Sequence, residues 1–280
     1  MPELPEVETM RRGILGAVGG VIVRASRVRC RRRPITISPS QPAIARRLVG
    51  QTIESVARLG KRVVIHVASG DALVLEPRMT GLVLIADPPS QEHLRFRLDL
   101  QGSAVQTIWY WDRRGLGSVR LFAREQLASQ LGEGRLGPDA LALSADELAA
   151  RLKASKRAVK VSLLDQRAIA GVGNLYASEI LHLAGIHPAK RCQRLTLAQW
   201  HEIHRSLREV LLDAIAHEGS TLSDGTYRNA LSVAGGYQNH HRVYDRAGEP
   251  CFRCGAGAIR RIVQAQRSTF YCPRCQPSRG

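Results

Sequence analysis

The chain has 280 residues, 44% of them hydrophobic, and 41 Lys and Arg outweigh 24 Asp and Glu to give a net charge of +17. That is enough apolar material for a sizeable core, in one large domain or in two with a small appendage. No apolar run reaches the ~18 residues of a membrane span, and the N-terminus lacks the basic-then-apolar order of a signal peptide. A cytosolic protein with a polyanionic partner, nucleic acid, is the expectation.

Residues 5–15 are predicted to be helical. Pro5 suits a first helical turn, Glu6 and Glu8 suit the positive end of the helix dipole, and Val7, Met10, Ile14 and Leu15 repeat at the helical period. From 21 to about 122 the pattern changes to short strands, among them "VIVRASRVR", "RVVIHVA", "DALVLEP", "GLVLIA" and "GSVRLF". In "HLRFRLDL", Leu94, Phe96, Leu98 and Leu100 alternate with His93, Arg95, Arg97 and Asp99, which predicts a half-buried strand. So many short strands predict an antiparallel sandwich or barrel. After "LGPDALAL" the period becomes helical. Ser144 with Glu147, and Thr196 with Gln199, have capping-box spacing, and Trp200, Ile203, Leu207, Val210, Leu211 and Ile215 form one apolar stripe. The Gly-, Ser- and Asn-rich stretch at 219–238 has no period; its composition suits a functional loop and a flexible linker equally.

The last elements carry metal chemistry. Cys251 and Cys254 form one C-x-x-C knuckle and Cys272 and Cys275 another, with 17 residues between. This spacing matches a closed four-thiolate zinc site, which is structural rather than catalytic. Two disulfides are the alternative, and a cytosolic setting disfavours them. Arg260, Arg261 and Arg267 between the knuckles suit phosphate contact or a solvated basic face. Cys30 and Cys192 read as ordinary, partly buried thiols.

The start, "MPELPEVETM", is acidic in a basic chain. Removal of Met1 would expose Pro2 as a secondary amine, a nucleophile able to form an iminium with an aldehyde-level carbon. Its pKa lies near neutrality and a helix N-terminus lowers it further. Glu3 beside it is a candidate general acid and base. By itself this signal is weak.

"PELPEVET", "AGVGNLYASEIL" and "QRSTFYCPRCQ" together resemble the formamidopyrimidine-DNA glycosylase family, over essentially the full length. The resemblance implies an α+β multidomain protein: an N-terminal antiparallel β-sandwich with an N-terminal helix over 1–135, a helix-two-turn-helix domain with a lesion-capping loop over 136–240, and a four-Cys zinc finger over 241–280. It implies a bifunctional glycosylase and abasic-site lyase that removes oxidised purines from double-stranded DNA as a monomer, with one structural zinc ion. Pro2 is then the nucleophile at C1′, Glu3 the proton handler, Lys61 in "LGKRVV" an aid to elimination, and Arg267 a grip on the phosphates. His93, Arg114, Lys156, Asn174 and Glu179 fall where the family places DNA contacts or the lesion pocket. Met79 and Arg114 match two wedges that fill the gap left by the flipped nucleotide. The third, usually Phe, is Leu116 here, a departure that bears on efficiency and lesion spectrum. Two other readings share parts of the pattern: an endonuclease VIII-type enzyme for oxidised pyrimidines and a noncatalytic damaged-DNA binder.

Overall fold

The computed structural model describes residues 2–132 and 134–278. The chain divides into two compact units, residues 1–133 with 215–238, and residues 134–214 with 239–280. Among the described residues no helix is long and apolar enough to cross a membrane.

The first unit opens with α1 (Leu4–Gly13), followed by β1 (Val21–Arg27), β2 (Thr36–Ser38) and α2 (Gln41–Leu48). Then come β3 (Ile53–Leu59), β4 (Arg62–Val67), β5 (Ala72–Glu76), β6 (Gly81–Leu84), β7 (Leu94–Gln101), β8 (Thr107–Asp112), β9 (Ser118–Phe122) and α3 (Arg124–Leu131). Two sheets form, ordered β1-β7-β8-β6 and β2-β9-β5-β4-β3. Pairing is antiparallel except at β2, which runs parallel to β9. The apolar face of α1, with Leu4, Val7 and Met10 fully buried, packs on β3 and β4 of one sheet and on β6 of the other. Glu6 in its first turn and Arg11 and Arg12 in its last complement the helix dipole. The N-terminus is thereby anchored in the sandwich core.

The alternation in "HLRFRLDL" holds for its apolar residues, all buried, but Arg95 is buried as well. Its Nε donates to the Asp112 carbonyl at 2.8 Å and its Nη1 to Cys30 Sγ at 2.6 Å, so the guanidinium is taken into the core on hydrogen bonds. The 219–238 stretch is no loose linker. Thr221 Oγ1 donates to the Tyr227 carbonyl and accepts from Gly235 N–H, Asn229 Oδ1 accepts from Leu231 and Val233, and Tyr227 and Ala230 join the sandwich core.

The second unit holds α4 (Ala145–Leu152), α5 (Val159–Leu163), α6 (Asn174–Leu183) and most of α7 (Leu197–Ala216), then the hairpin β10 (Arg260–Gln264) and β11 (Arg267–Tyr271). Both capping boxes form: Ser144 Oγ accepts from Glu147 N–H while Glu147 accepts from Ser144 N–H, and Thr196 and Gln199 do the same. The stripe from Trp200 to Ile215 is buried along α7. Ala265 and Gln266, both with positive φ, join β10 to β11 as a two-residue turn.

Candidate functional site

In the first unit the site grows out of the start of α1. Glu3 is only 3% exposed, and its backbone N–H donates to Glu6 Oε2 at 2.8 Å. The other oxygen, Glu6 Oε1, accepts from Ser220 N–H at 2.9 Å. One buried carboxylate thus holds the backbone at Glu3 and the beginning of the 219–238 stretch. The approach is close enough to require glycine next door: Gly219 has φ +79°, and a Cβ there would stand 2.8 Å from Glu6 Oε1. The Tyr227 hydroxyl donates to the Glu218 carbonyl at 2.9 Å, and burial pushes its pKa well above the usual phenol range, so it stays a neutral donor. Pro2 is buried at the wall of a small pocket that Met79, Thr80, Ser220, Asp224 and Tyr227 also line. Met1 lies outside the described residues.

The segments carrying Met79, Arg114 and Leu116 are set by one buried acid. Asp112 Oδ1 accepts from the Thr80 hydroxyl and from Arg114 N–H, and Asp112 Oδ2 accepts from Gly117 N–H at 2.8 Å. Arg114 N–H also reaches Thr80 Oγ1 at 3.0 Å. The loop after β8 is therefore tied to the turn before β6, and Arg114 Nη1 lies 3.3 Å from Met79 Sδ. Met79 is 39% exposed, a large apolar side chain held in solvent; Arg114 is exposed and Leu116 half-buried. Lys61 follows Gly60, whose φ is +57°, in the two-residue turn between β3 and β4.

In the second unit, Asn174 opens α6 and its side chain is fixed from both ends. Asn174 Oδ1 accepts from Lys160 Nζ at 2.6 Å and its Nδ2 donates to the Ser268 carbonyl at 3.0 Å. Lys160, 1% exposed, also donates to Thr269 Oγ1 at 2.7 Å and to the Ser268 carbonyl at 3.1 Å. A buried ammonium thus joins the start of α6 to the strand that begins at Arg267. Arg267 itself is exposed beside the hairpin turn.

The four cysteines meet below this hairpin. Their Sγ atoms lie within 4.8 Å of one another, with Cys251 to Cys275 at 3.8 Å and Cys254 to Cys272 at 3.7 Å. A tetrahedron of thiolates around zinc, with bonds of about 2.3 Å, has edges of about 3.8 Å. All four are free thiols rather than disulfides, so donor set and spacing both fit a zinc ion.

The comparisons with known proteins agree with this layout. Residues 1–119 match the formamidopyrimidine-DNA glycosylase N-terminal domain, 136–226 its H2TH domain, and 248–277 a zinc finger found in FPG and IleRS. A formamidopyrimidine-DNA glycosylase of Chloroflexus aggregans is 40% identical over 281 residues, 99% of this chain and 98% of the relative. The chain belongs to the formamidopyrimidine-DNA glycosylase family. Among solved structures, a mutant Lactococcus lactis FPG bound to DNA containing Fapy-dG superposes with a TM-score of 0.87 at 32% identity, covering 99% of this chain and 100% of that one. The Lactococcus lactis Fpg bound to DNA with an abasic site also reaches 0.87, at 31% identity and the same coverage.

The remaining residues carried over from the glycosylase family occupy varied settings. His93 is half-buried, edge-on to Trp111 at 5.4 Å, with Nε2 3.0 Å from Glu92 Oε1. Burial, set against the Glu92 charge, keeps its pKa below the usual histidine value, so it is neutral at neutral pH. Lys156 is exposed between α4 and α5. Glu179 is fully buried in α6, and its carboxylate accepts from the backbone N–H groups of Arg242, Val243 and Tyr244 at 2.8, 3.0 and 2.8 Å. Burial raises its pKa despite those donors, and its contacts hold the chain leading into the zinc finger. Reading the sequence missed Glu6, Asp112 and Lys160. Only Lys160 left a signal, a lone charge in the apolar run "AVKVSLL".

Proposed function

We propose that this chain excises oxidised purines from duplex DNA and cleaves the resulting abasic site in base excision repair. The observation that carries the reading is the buried start of α1 in a formamidopyrimidine-DNA glycosylase: Pro2 at the wall of a pocket, Glu3 beside it, and Glu6 joining the Glu3 backbone to the 219–238 stretch. The Pro2 amine attacks C1′ of the extruded nucleotide, the glycosidic bond breaks, and the departing base takes a proton relayed by Glu3. Loss of the amine proton and opening of the sugar leave an iminium. Lys61 assists elimination at the lesion strand. β-Elimination and then δ-elimination release both flanking phosphates and leave a one-nucleotide gap.

Met79, Arg114 and Leu116 take the space of the extruded nucleotide, which suits an exposed methionine braced against an arginine. Asn174, Arg267, Lys156 and His93 hold phosphates, and the 219–238 stretch covers the base. Glu179 acts by holding its own chain in place. The division into 1–135, 136–240 and 241–280 is then one of labour among catalysis, duplex grip and zinc-supported phosphate contact. A cytoplasmic location at the nucleoid follows from the substrate. The test is product analysis on a duplex with 8-oxoguanine opposite cytosine. A gap flanked by a 3′- and a 5′-phosphate is expected; a bound but intact strand would overturn the reading.

A further inference from the structure

His182 lies in the last turn of α6, buried against the four cysteines. Its Nε2 is 3.3 Å from Cys251 Sγ, and Cys251 is itself fully buried. The same residue is held through its backbone: Arg253, inside the first knuckle, donates Nη1 to the carbonyls of His182 and Leu183 at 3.2 and 3.1 Å. A four-thiolate zinc centre carries net negative charge, and charge held away from water needs N–H donors. Cys272 Sγ receives one from within the finger, Cys275 N–H at 3.4 Å. Cys251 faces a side chain from a helix outside it.

The tautomer follows from the surroundings. A neutral imidazole has one N–H. His182 Nδ1 is buried with no hydrogen-bond partner among the described residues. A hydrogen on Nδ1 would leave a buried donor unused and turn the Nε2 lone pair onto a sulfur lone pair. A hydrogen on Nε2 removes both penalties, leaving only an unpaired acceptor.

We propose that His182 is a positioning residue of the zinc centre, donating Nε2–H to the Cys251 thiolate and so tying zinc retention to the helix that begins at Asn174. The inference goes beyond the excision chemistry and stands whether or not Pro2 is the nucleophile.

Zinc transfer from the full-length, zinc-loaded protein to a metallochromic chelator tests it. His182→Phe keeps a ring and removes the donor; its zinc affinity falls about 10–100-fold. His182→Gln, whose amide N–H replaces the donor, recovers most of the loss. Wild-type retention in His182→Phe overturns the proposal, and so does an equal loss in both variants, which would mark packing rather than a hydrogen bond. A nitrogen spectrum of the isotope-labelled, cadmium-substituted wild type needs no variant. The Nε2–H tautomer with coupling to the metal is expected; an Nδ1–H tautomer overturns the proposal.

Discussion

At the scale of single residues, two buried charges organise what the exposed residues do. Glu6 uses separate oxygens for Glu3 N–H and Ser220 N–H. Glutamine offers one acceptor oxygen, so Glu6→Gln removes one of these two buried hydrogen bonds, at a cost of about 1–3 kcal/mol. Because Ser220 belongs to the stretch assigned to the base, Glu6→Gln is expected to slow excision of 8-oxoguanine more than cleavage of a preformed abasic site. Single-turnover rates on the two substrates check this. Lys160→Met strands Asn174 Oδ1 and Thr269 Oγ1 together; a loss on the order of 2 kcal/mol or more in urea unfolding is expected, with weaker binding to abasic DNA. Glu6 reads in the sequence only as a helix-dipole acid, because its partner lies 214 residues away, and Lys160 shows as a lone charge in an apolar run, without its partners.

At the scale of elements, α1 is the part that must not move. Burial alone would raise the pKa of Glu8, but hydrogen bonds from Arg11 and Arg12 and the charges of Arg11 and Arg58 overcome it, lowering the value from 4.5 to about 2. A folded-state pKa below the unfolded one adds stability that is complete above the unfolded value and lost as pH falls through the folded one. Wild type is therefore expected to exceed Glu8→Gln in urea midpoint above pH 4.5, with the gap closing as pH drops through about 2. In the hairpin, Arg267→Ala is expected to lower the salt slope of DNA binding by about 0.9, one phosphate's worth. Elements with strong local signals were readable: α1 from Pro5 and its acids, α7 from its stripe, the finger from its cysteines. Two were not. β3, at a sheet edge, buries only Ile53 and Val56 fully and carries a register shift, and α2 buries only Ile44 and Leu48, too few to show a period. Alternation places Arg95 outward; it says nothing of a guanidinium drawn into a core by hydrogen bonds from Nε and Nη1, with Nη2 buried and without a partner among the described residues.

At the scale of the molecule, the proposed function assigns DNA grip to the basic charge and the finger, and the chemistry to the first unit, whose core holds α1. Removing zinc with a chelator is expected to abolish tight binding to abasic DNA while the β-sandwich keeps its far-ultraviolet dichroism; calorimetry alongside binding checks this. The order of strands, helices and cysteines was legible from composition and spacing. The return of 215–238 to the first unit was not, because nothing local marks where a chain doubles back. The central claim is that Pro2 is a nucleophile at the sugar. Borohydride trapping on a duplex with 8-oxoguanine opposite cytosine, with Pro2→Gly beside it, tests that most directly. A covalent protein–DNA band from the wild type and none from Pro2→Gly is predicted. Tight binding without a trapped band, or an equal band from Pro2→Gly, would contradict it.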